Sequence, residues 1–278
     1  MAQLQKYFEK IIHRSHPHGD FMLNFKELDF TISEFWELSS AITRNYNSIT
    51  MTEYLSSDFL PEKFALIRHD VDRMPKNSLE TAKMESKLGI RATYYFRTTK
   101  NAFIPKIIKE ISNLGHEIGY HYEVLSETNG DYDKAIALFE HNLAEFRKIC
   151  DVKTICMHGR PLSKFDNRDL WKVKDFKKFG ILGEAYLSAG KDLNYFSDTG
   201  RSWSSKNSLR DFIPEKNENF SVDTTPELID LVESKKLNNI YILSHPERWS
   251  CSMLDWGLYF GMDFAVNVVK KGLMAVRK

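Results

Sequence analysis

Apolar residues are distributed along the chain in two ways, as short runs and as longer stretches with helical spacing. The short runs predict seven buried strands, at 64–67, 92–96, 116–121, 154–158, 181–187, 195–198 and 240–244. Between most of them apolar side chains recur every three or four residues, most clearly at 131–150. Strands separated by helices pair in parallel through crossover connections, so the pattern predicts an α/β fold. Seven units suit a (β/α) barrel, and an open doubly wound sheet is the alternative.

The chain has no repeat, low-complexity segment or linker, and its 278 residues are enough for one large domain with a substantial core. We therefore predict a single domain made of an N-terminal elaboration (1–60), a barrel core (61–250) and a C-terminal helix (251–278). The apolar C-terminal stretch at 258–276 could pack on the barrel or on a second subunit, so the oligomeric state stays open.

Three histidines lie close together near the N-terminus. The stretch at 3–12 has helical spacing, and a loop with His13, His16 and His18 follows it. These histidines could chelate a metal. A solvated loop is the favoured interpretation, because nothing nearby supplies rigid positioning or further ligands.

Charge, apolar runs and cysteine content indicate which binding partners and which cellular location to expect. Lys plus Arg total 39 against 38 for Asp plus Glu, so no net field favours nucleic acid or an acidic membrane surface. No apolar run approaches the roughly 18 residues of a membrane span, and the N-terminus does not resemble a secretory signal, so we expect a cytoplasmic protein. The odd number of cysteines (Cys150, Cys156 and Cys251), without a CxxC pair, argues against disulfides and a thiolate zinc site.

Ionisable side chains follow almost every predicted strand. Histidine stands at three of these strand ends, although the chain has only nine. Because the carboxyl ends of parallel strands meet on one side of a barrel, we expect these side chains to form one site. The residues concerned are Asp70, Asp72, Arg97, His121, Glu123, His158, Arg160, Asp198 and His245.

Four of these segments share their order and spacing with a known family. They are Asp70-Val-Asp72, Gly115-His-Glu-Ile-Gly-Tyr-His121, His158-Gly-Arg-Pro161 and Leu243-Ser-His245. They resemble the motifs of the polysaccharide deacetylase superfamily, also called carbohydrate esterase family four, over about residues 64–249. The resemblance implies a distorted seven-stranded (β/α) barrel with an N-terminal extension, a divalent metal that is usually zinc, and a carbohydrate substrate. The implied reaction is hydrolysis of an N-acetyl group on an amino sugar of a polysaccharide or its precursor.

The resemblance also implies a role for individual positions. Asp70 corresponds to the general base, Asp72 and His121 to metal ligands, and His245 to the general acid. Arg160 corresponds to the arginine that orients the base, and Arg68 is a second cation close to Asp70 in the sequence. Asp198, followed by Trp203, loosely resembles the motif whose carboxylate tunes the acid.

One position departs from the family pattern. The family places a second histidine ligand four residues after the first, and here that residue is Leu125, which cannot coordinate a metal. Glu123 and His158 are the two candidates for the missing ligand. We favour Glu123, because it is the oxygen ligand nearest to His121 in the sequence.

Two other functions compete with the deacetylase interpretation. An Asp-x-Asp strand end also occurs in haloacid-dehalogenase-like phosphatases, but Met74 stands where that family has Thr or Val, and the three histidines stay unexplained. A catalytically inactive barrel that binds a glycan or a protein partner is favoured by Leu125 alone. Among the aromatic residues near the strand ends, Trp249 is the best candidate for a sugar-stacking platform.

Overall fold

A computed structural model describes residues 28–160, 163–190, 192–204 and 220–276. The helix predicted at 3–12 and the loop with His13, His16 and His18 lie outside these residues, as does Pro161.

Strands and helices alternate along the described chain. The strands are β1 (Asn47–Ile49), β2 (Phe64–Val71), β3 (Thr93–Phe96), β4 (Glu117–Tyr122), β5 (Thr154–Met157), β6 (Gly183–Glu184), β7 (Leu193–Ser197) and β8 (Asn239–Ser244). The α-helices are α1 (Ile32–Asn45), α2 (Met51–Ser56), α3 (Pro75–Lys87), α4 (Pro105–Asn113), α5 (Val124–Glu127), α6 (Tyr132–Arg147), α7 (Leu170–Val173), α8 (Thr225–Glu233) and α9 (Met253–Val276). Short 3₁₀ helices lie at Asn167–Asp169, Phe176–Phe179 and Pro246–Arg248.

The described strands form one parallel sheet in the order β6-β5-β4-β3-β2-β8-β7. The additional strand β1 pairs with the beginning of β2, at Phe64 to Leu66, while β3 pairs with its end, from Arg68 to Val71. The predicted α/β class with a parallel sheet is therefore confirmed, and part of the N-terminal elaboration belongs to the sheet.

The sheet curls strongly but does not close. The phenol of Tyr241 on β8 donates a hydrogen bond to the carbonyl oxygen of Ala185, just after β6, at 3.2 Å. These two strands are five positions apart in the sheet order, which would separate them by about 24 Å in a flat sheet. No pairing joins β6 to β7 within the part of the chain that the structure describes. The fold is thus an open half-barrel, consistent with a distorted (β/α) barrel.

Local side chains explain where several helices begin. Thr50 and Glu53 form a reciprocal capping box at the start of α2, and Thr224 and Glu227 form another at α8. The helix α3 begins at Pro75, without a side-chain cap. Proline suits a first helical position because its missing N–H would have no partner there.

The region after β5 is less regular than predicted. Between β5 and β6 the chain forms short turns and not one long helix, because the carboxylates of Asp166 and Asp175 cap separate turns by accepting the N–H groups of Arg168 and Lys177. The strand expected at 181–187 contains only Gly183 and Glu184.

The long helix α9 lies within the stretch predicted to be helical and contacts the barrel mainly through polar groups. The indole N–H of Trp256 donates to the carbonyl oxygen of Asp29 at 2.7 Å, and the Asn267 amide donates to that of Gly200 at 2.9 Å. None of the described helices, α9 included, combines the length and apolar character that a membrane crossing requires.

Candidate metal and acid–base site

Asp70 lies near the end of β2 and is held by an arginine from the same strand. Side chains two residues apart on a strand share a face, so Arg68 and Asp70 both point into the half-barrel. Arg68 donates to both carboxylate oxygens, from Nε at 2.8 Å and from Nη2 at 2.7 Å. Burial alone would raise the pKa of Asp70, but Arg68, with help from His121 and His245, lowers it to about 2. Asp70 is therefore an ionised carboxylate at neutral pH.

Arg68 and Asp70 also correct the predicted end of the strand. The sequence suggested that β2 ends at Ile67, because charged groups were not expected inside a buried strand; it runs to Val71. Two-point contact between the charges makes their burial tolerable.

Three side chains from different strand ends converge beside Asp70. The imidazole Nε2 of His121 lies 3.4 Å from Oδ1 of Asp72, and Nδ1 of His158 lies 3.0 Å from the same oxygen. The two imidazole nitrogens are 3.2 Å apart. We call Asp72, His121 and His158 the metal triad, since these three ligand atoms lie close enough to hold one ion.

The chemistry of the triad fits a divalent cation. Nδ1 of His121 lies 3.0 Å from the carbonyl oxygen of Cys156, an acceptor only, so this nitrogen carries the hydrogen and Nε2 presents its lone pair to the triad. Oδ1 of Asp72 is buried and accepts no hydrogen bond. The nearby imidazoles hold the pKa of Asp72 well below its usual value, although burial opposes this. Two imidazoles and a carboxylate are ligands that zinc accepts, and three protein ligands leave a coordination position open.

The sheet register explains why His158 reaches the triad. On β4 and β5, His121 is paired with Cys156, and the N–H of His158 donates to the carbonyl oxygen of Tyr122 at 2.7 Å. His158 thus follows Cys156, the strand neighbour of His121, by two residues, and side chains two residues apart lie on the same face.

Glu123, the ligand that the sequence favoured, is directed elsewhere. Its Oε1 accepts two hydrogen bonds from Arg97, one of them from Nε at 2.8 Å, and its Oε2 lies 3.4 Å from Nε of Arg160. The geometry therefore brings His158, and not Glu123, to the metal triad. It also places Arg160 beside Glu123, while Arg68 takes the position next to Asp70.

A second group of possible ligands shares His121 with the triad. It consists of Asp70, His121 and Cys156, all buried, and the Cys156 sulfur lies 4.0 Å from Oδ1 of Asp70. Both Asp70 oxygens are already bound by Arg68, so this group fits a metal less well than the triad. Sequence reasoning did not single out Cys156; its place two residues before the predicted end of β5 is the signal that could have done so.

Asp198 and His245 form a close pair at the ends of β7 and β8. Nδ1 of His245 lies 2.6 Å from Oδ1 of Asp198, and the backbone N–H of His245 donates to Oδ2 at 2.7 Å. Burial and Arg248 lower the pKa of His245, but Asp198 outweighs them and the pKa is raised overall. The register of β2 with β8 pairs His69 with Ser244, which brings His245 level with Asp70. The register therefore places His245 and Asp70 at the same level on neighbouring strands.

A glycine in the family-like segment permits close packing between strands. A Cβ on Gly119 would lie 2.2 Å from the ring of Tyr95 and 3.0 Å from the carbonyl oxygen of Thr154. No larger residue fits there without displacing the strands that position His121.

The predicted sugar-stacking role of Trp249 is wrong. Its side chain is buried, and its indole N–H donates to the Ser244 hydroxyl at 2.6 Å. Trp203 is buried as well. Their faces are occupied by the core and cannot serve as an open platform.

Sequence reasoning missed Glu247 and Arg248, which follow His245 in the chain. Glu247 is buried, and burial together with the charge of Asp72 raises its pKa to about 8. Arg248 donates to Oδ1 of Asp198. The signal was their position in the segment His245-Pro-Glu-Arg248, directly after a strand that ends in the site.

Comparison with known proteins adds no relative: no protein-family model matches the chain, and neither does any curated protein.

Proposed function

We propose that the protein is a metal-dependent hydrolase that removes an N-acetyl group from an amino sugar of a polysaccharide or its precursor. One observation carries the proposal. The metal triad and the His245–Asp198 pair lie on neighbouring strand ends, with the ionised carboxylate of Asp70 beside both. This arrangement offers a cation site, a base and an acid within one half-barrel.

Each group has a task in amide hydrolysis. Asp72, His121 and His158 would hold the divalent metal, which supplies Lewis-acid chemistry that polarises a carbonyl and acidifies water. Asp70 accepts the proton of the attacking water, and Arg68 keeps its carboxylate oriented and ionised. His245 donates a proton to the departing nitrogen, because an amine is a poor leaving group without one.

The alternative is an inactive barrel that binds a glycan or a protein partner. Its support was Leu125, which stands where the family has a ligand. Leu125 is buried in the core on α5, and His158 supplies an imidazole from the next strand. A triad with three metal ligands supports the hydrolase over the inactive barrel.

Two measurements test the proposal. Elemental mass spectrometry on untagged protein prepared without chelator, before and after incubation with zinc, should find about one metal per chain. Acetate release from N-acetylated amino-sugar oligomers should then depend on that metal and be lost in Asp70→Asn. Absence of metal from both preparations would overturn the mechanism and leave the binding barrel in its place.

A further inference from the structure

Arg248 contacts both members of the acid pair. Its Nη1 lies 2.5 Å from Oδ1 of Asp198 and 2.5 Å from Nδ1 of His245. The arginine follows β8 by one 3₁₀ turn, so it approaches the pair from the strand that carries His245. A carboxylate and a guanidinium thus meet at one imidazole nitrogen.

Hydrogen-bond chemistry makes the two neighbours of that nitrogen competitors. A carboxylate only accepts and a guanidinium only donates, whereas imidazole Nδ1 does one or the other. Asp198 favours the form of His245 with a hydrogen on Nδ1, which includes the charged imidazolium. Arg248 disfavours that form, both as a donor and as a positive charge.

Burial makes the opposition strong. The Arg248 side chain is 11% exposed and that of Asp198 is fully buried, so little water screens them. Arg248 is held from its other side by α9, because its Nε lies 3.7 Å from Oδ2 of Asp263. The charged or titratable groups that act on His245 are Asp198, Arg248, Asp70, Asp72 and Glu247.

We propose that Arg248 is a positioning residue that shares Asp198 with His245 and thereby sets how readily His245 gives up its proton. The inference rests on the proposed function only in naming His245 as the acid; the coupling of the three side chains holds without it. Asp198 alone would stabilise the imidazolium and make it a weak acid. The guanidinium of Arg248 on the same carboxylate oxygen weakens that interaction and lowers the pKa of His245. The imidazolium is then a stronger acid towards the departing nitrogen.

The test is the titration of His245 in the full chain, followed by NMR and assigned by the signal that disappears in His245→Asn. In Arg248→Gln the pKa of His245 should rise by about half a pH unit or more, because a close positive charge is removed. Arg248→Lys keeps the charge and should restore a value near that of the wild type. Arg168→Gln is the matched control, since Arg168 is also 11% exposed and pairs with Asp166, away from His245; it should leave the titration unchanged.

The activity profile separates this inference from the proposed function. With an N-acetylated amino-sugar oligomer, Arg248→Gln should lower kcat more than it changes KM and should move the alkaline limb to higher pH. A His245 titration that is unchanged or shifted down in Arg248→Gln overturns the inference, whatever the activity. If the titration shifts as expected while no variant releases acetate, the inference stands and the deacetylase proposal fails.

Discussion

Nδ1 of His158 and Nε2 of His121 lie 3.2 Å apart, and each nitrogen faces the same oxygen of Asp72. Oδ1 of Asp72 is buried and accepts no hydrogen bond, although two ring nitrogens lie close to it. This arrangement favours a cation bound by all three atoms. We therefore expect His158→Ala to weaken zinc affinity about 100-fold or more, which exceeds the typical cost of losing an outer partner of a metal ligand. Competition with a chromophoric chelator measures this directly.

Glu123→Ala is the matched comparison for that experiment. Glu123 is bound by Arg97 and Arg160, so its loss should weaken zinc binding less than tenfold, about the lower limit for an outer partner. This order is the reverse of the preference drawn from the sequence. If Glu123→Ala lost more affinity than His158→Ala, in protein that is folded without metal, Glu123 would be the third ligand.

Asp70→Asn separates the base from the ligands. Its two oxygens are bound by Arg68, and the substitution keeps the shape of the side chain while removing its ability to take a proton. Acetate release should fall by about 10² to 10⁴, the range for loss of a general base. Zinc stoichiometry by elemental mass spectrometry should stay unchanged; loss of the metal would reverse the roles of Asp70 and Asp72.

Asp198→Asn should act on His245 in the direction opposite to Arg248→Gln. Asp198 raises the pKa of His245, so its neutral amide should lower that pKa and move the alkaline limb of activity to lower pH. The activity profile and the NMR titration should shift together. Asp166→Asn, a carboxylate paired with Arg168, is the control and should move neither. A limb that stays in place in Asp198→Asn would remove His245 from the proton-transfer step.

The sequence predicted the strand ends better than the contacts beyond them. Each strand end that carries Asp72, His121 or His245 was visible as an apolar run that stops at ionisable residues. The choice between Glu123 and His158 depended on side-chain direction and on the register of β4 with β5, which one sequence does not reveal. The sequence named Arg68 only as an alternative to Arg160, because a charged residue was not expected inside a buried strand. Its hydrogen bonds to Asp70 make that burial possible, and one sequence does not reveal them.

The same limit applies to the fold. Alternation of strands and helices predicted a parallel sheet, but closure of a barrel depends on how far the last strands curl towards each other. The turn after Glu184 shows the cause. Its carboxylate accepts the N–H groups of Met157, Tyr186 and Leu187, which ends β6 after two residues. A residue inside the predicted strand at 181–187 thus ends the strand by binding the backbone of the following turn.

The last prediction concerns stability on the outer face of the sheet, beneath α3. Glu85 on that helix receives the Tyr94 hydroxyl at 2.6 Å and contacts Nε2 of His69 at 2.7 Å, and all three are buried. Removing one member of a buried charged network leaves the others unpaired. Glu85→Ala should therefore lower the free energy of unfolding, measured by urea denaturation, by about 3 kcal/mol or more. Glu80→Ala on the same helix removes an exposed pair with Lys83 and should cost less than about 0.5 kcal/mol.

Acid titration gives this network a second signature. Burial opposes ionisation of Glu85, but His69 and the other partners lower its pKa below the ordinary 4.5. Its contribution is therefore complete above pH 4.5 and is lost as pH falls through the lowered value. Burial also lowers the pKa of His116, so the free energy of unfolding begins to decrease as pH falls below its ordinary 6.5. Glu85→Ala should remove the loss of stability below pH 4.5 that comes from this carboxylate, while Glu80→Ala keeps the wild-type slope; equal slopes in both variants would show that Glu85 does not carry it.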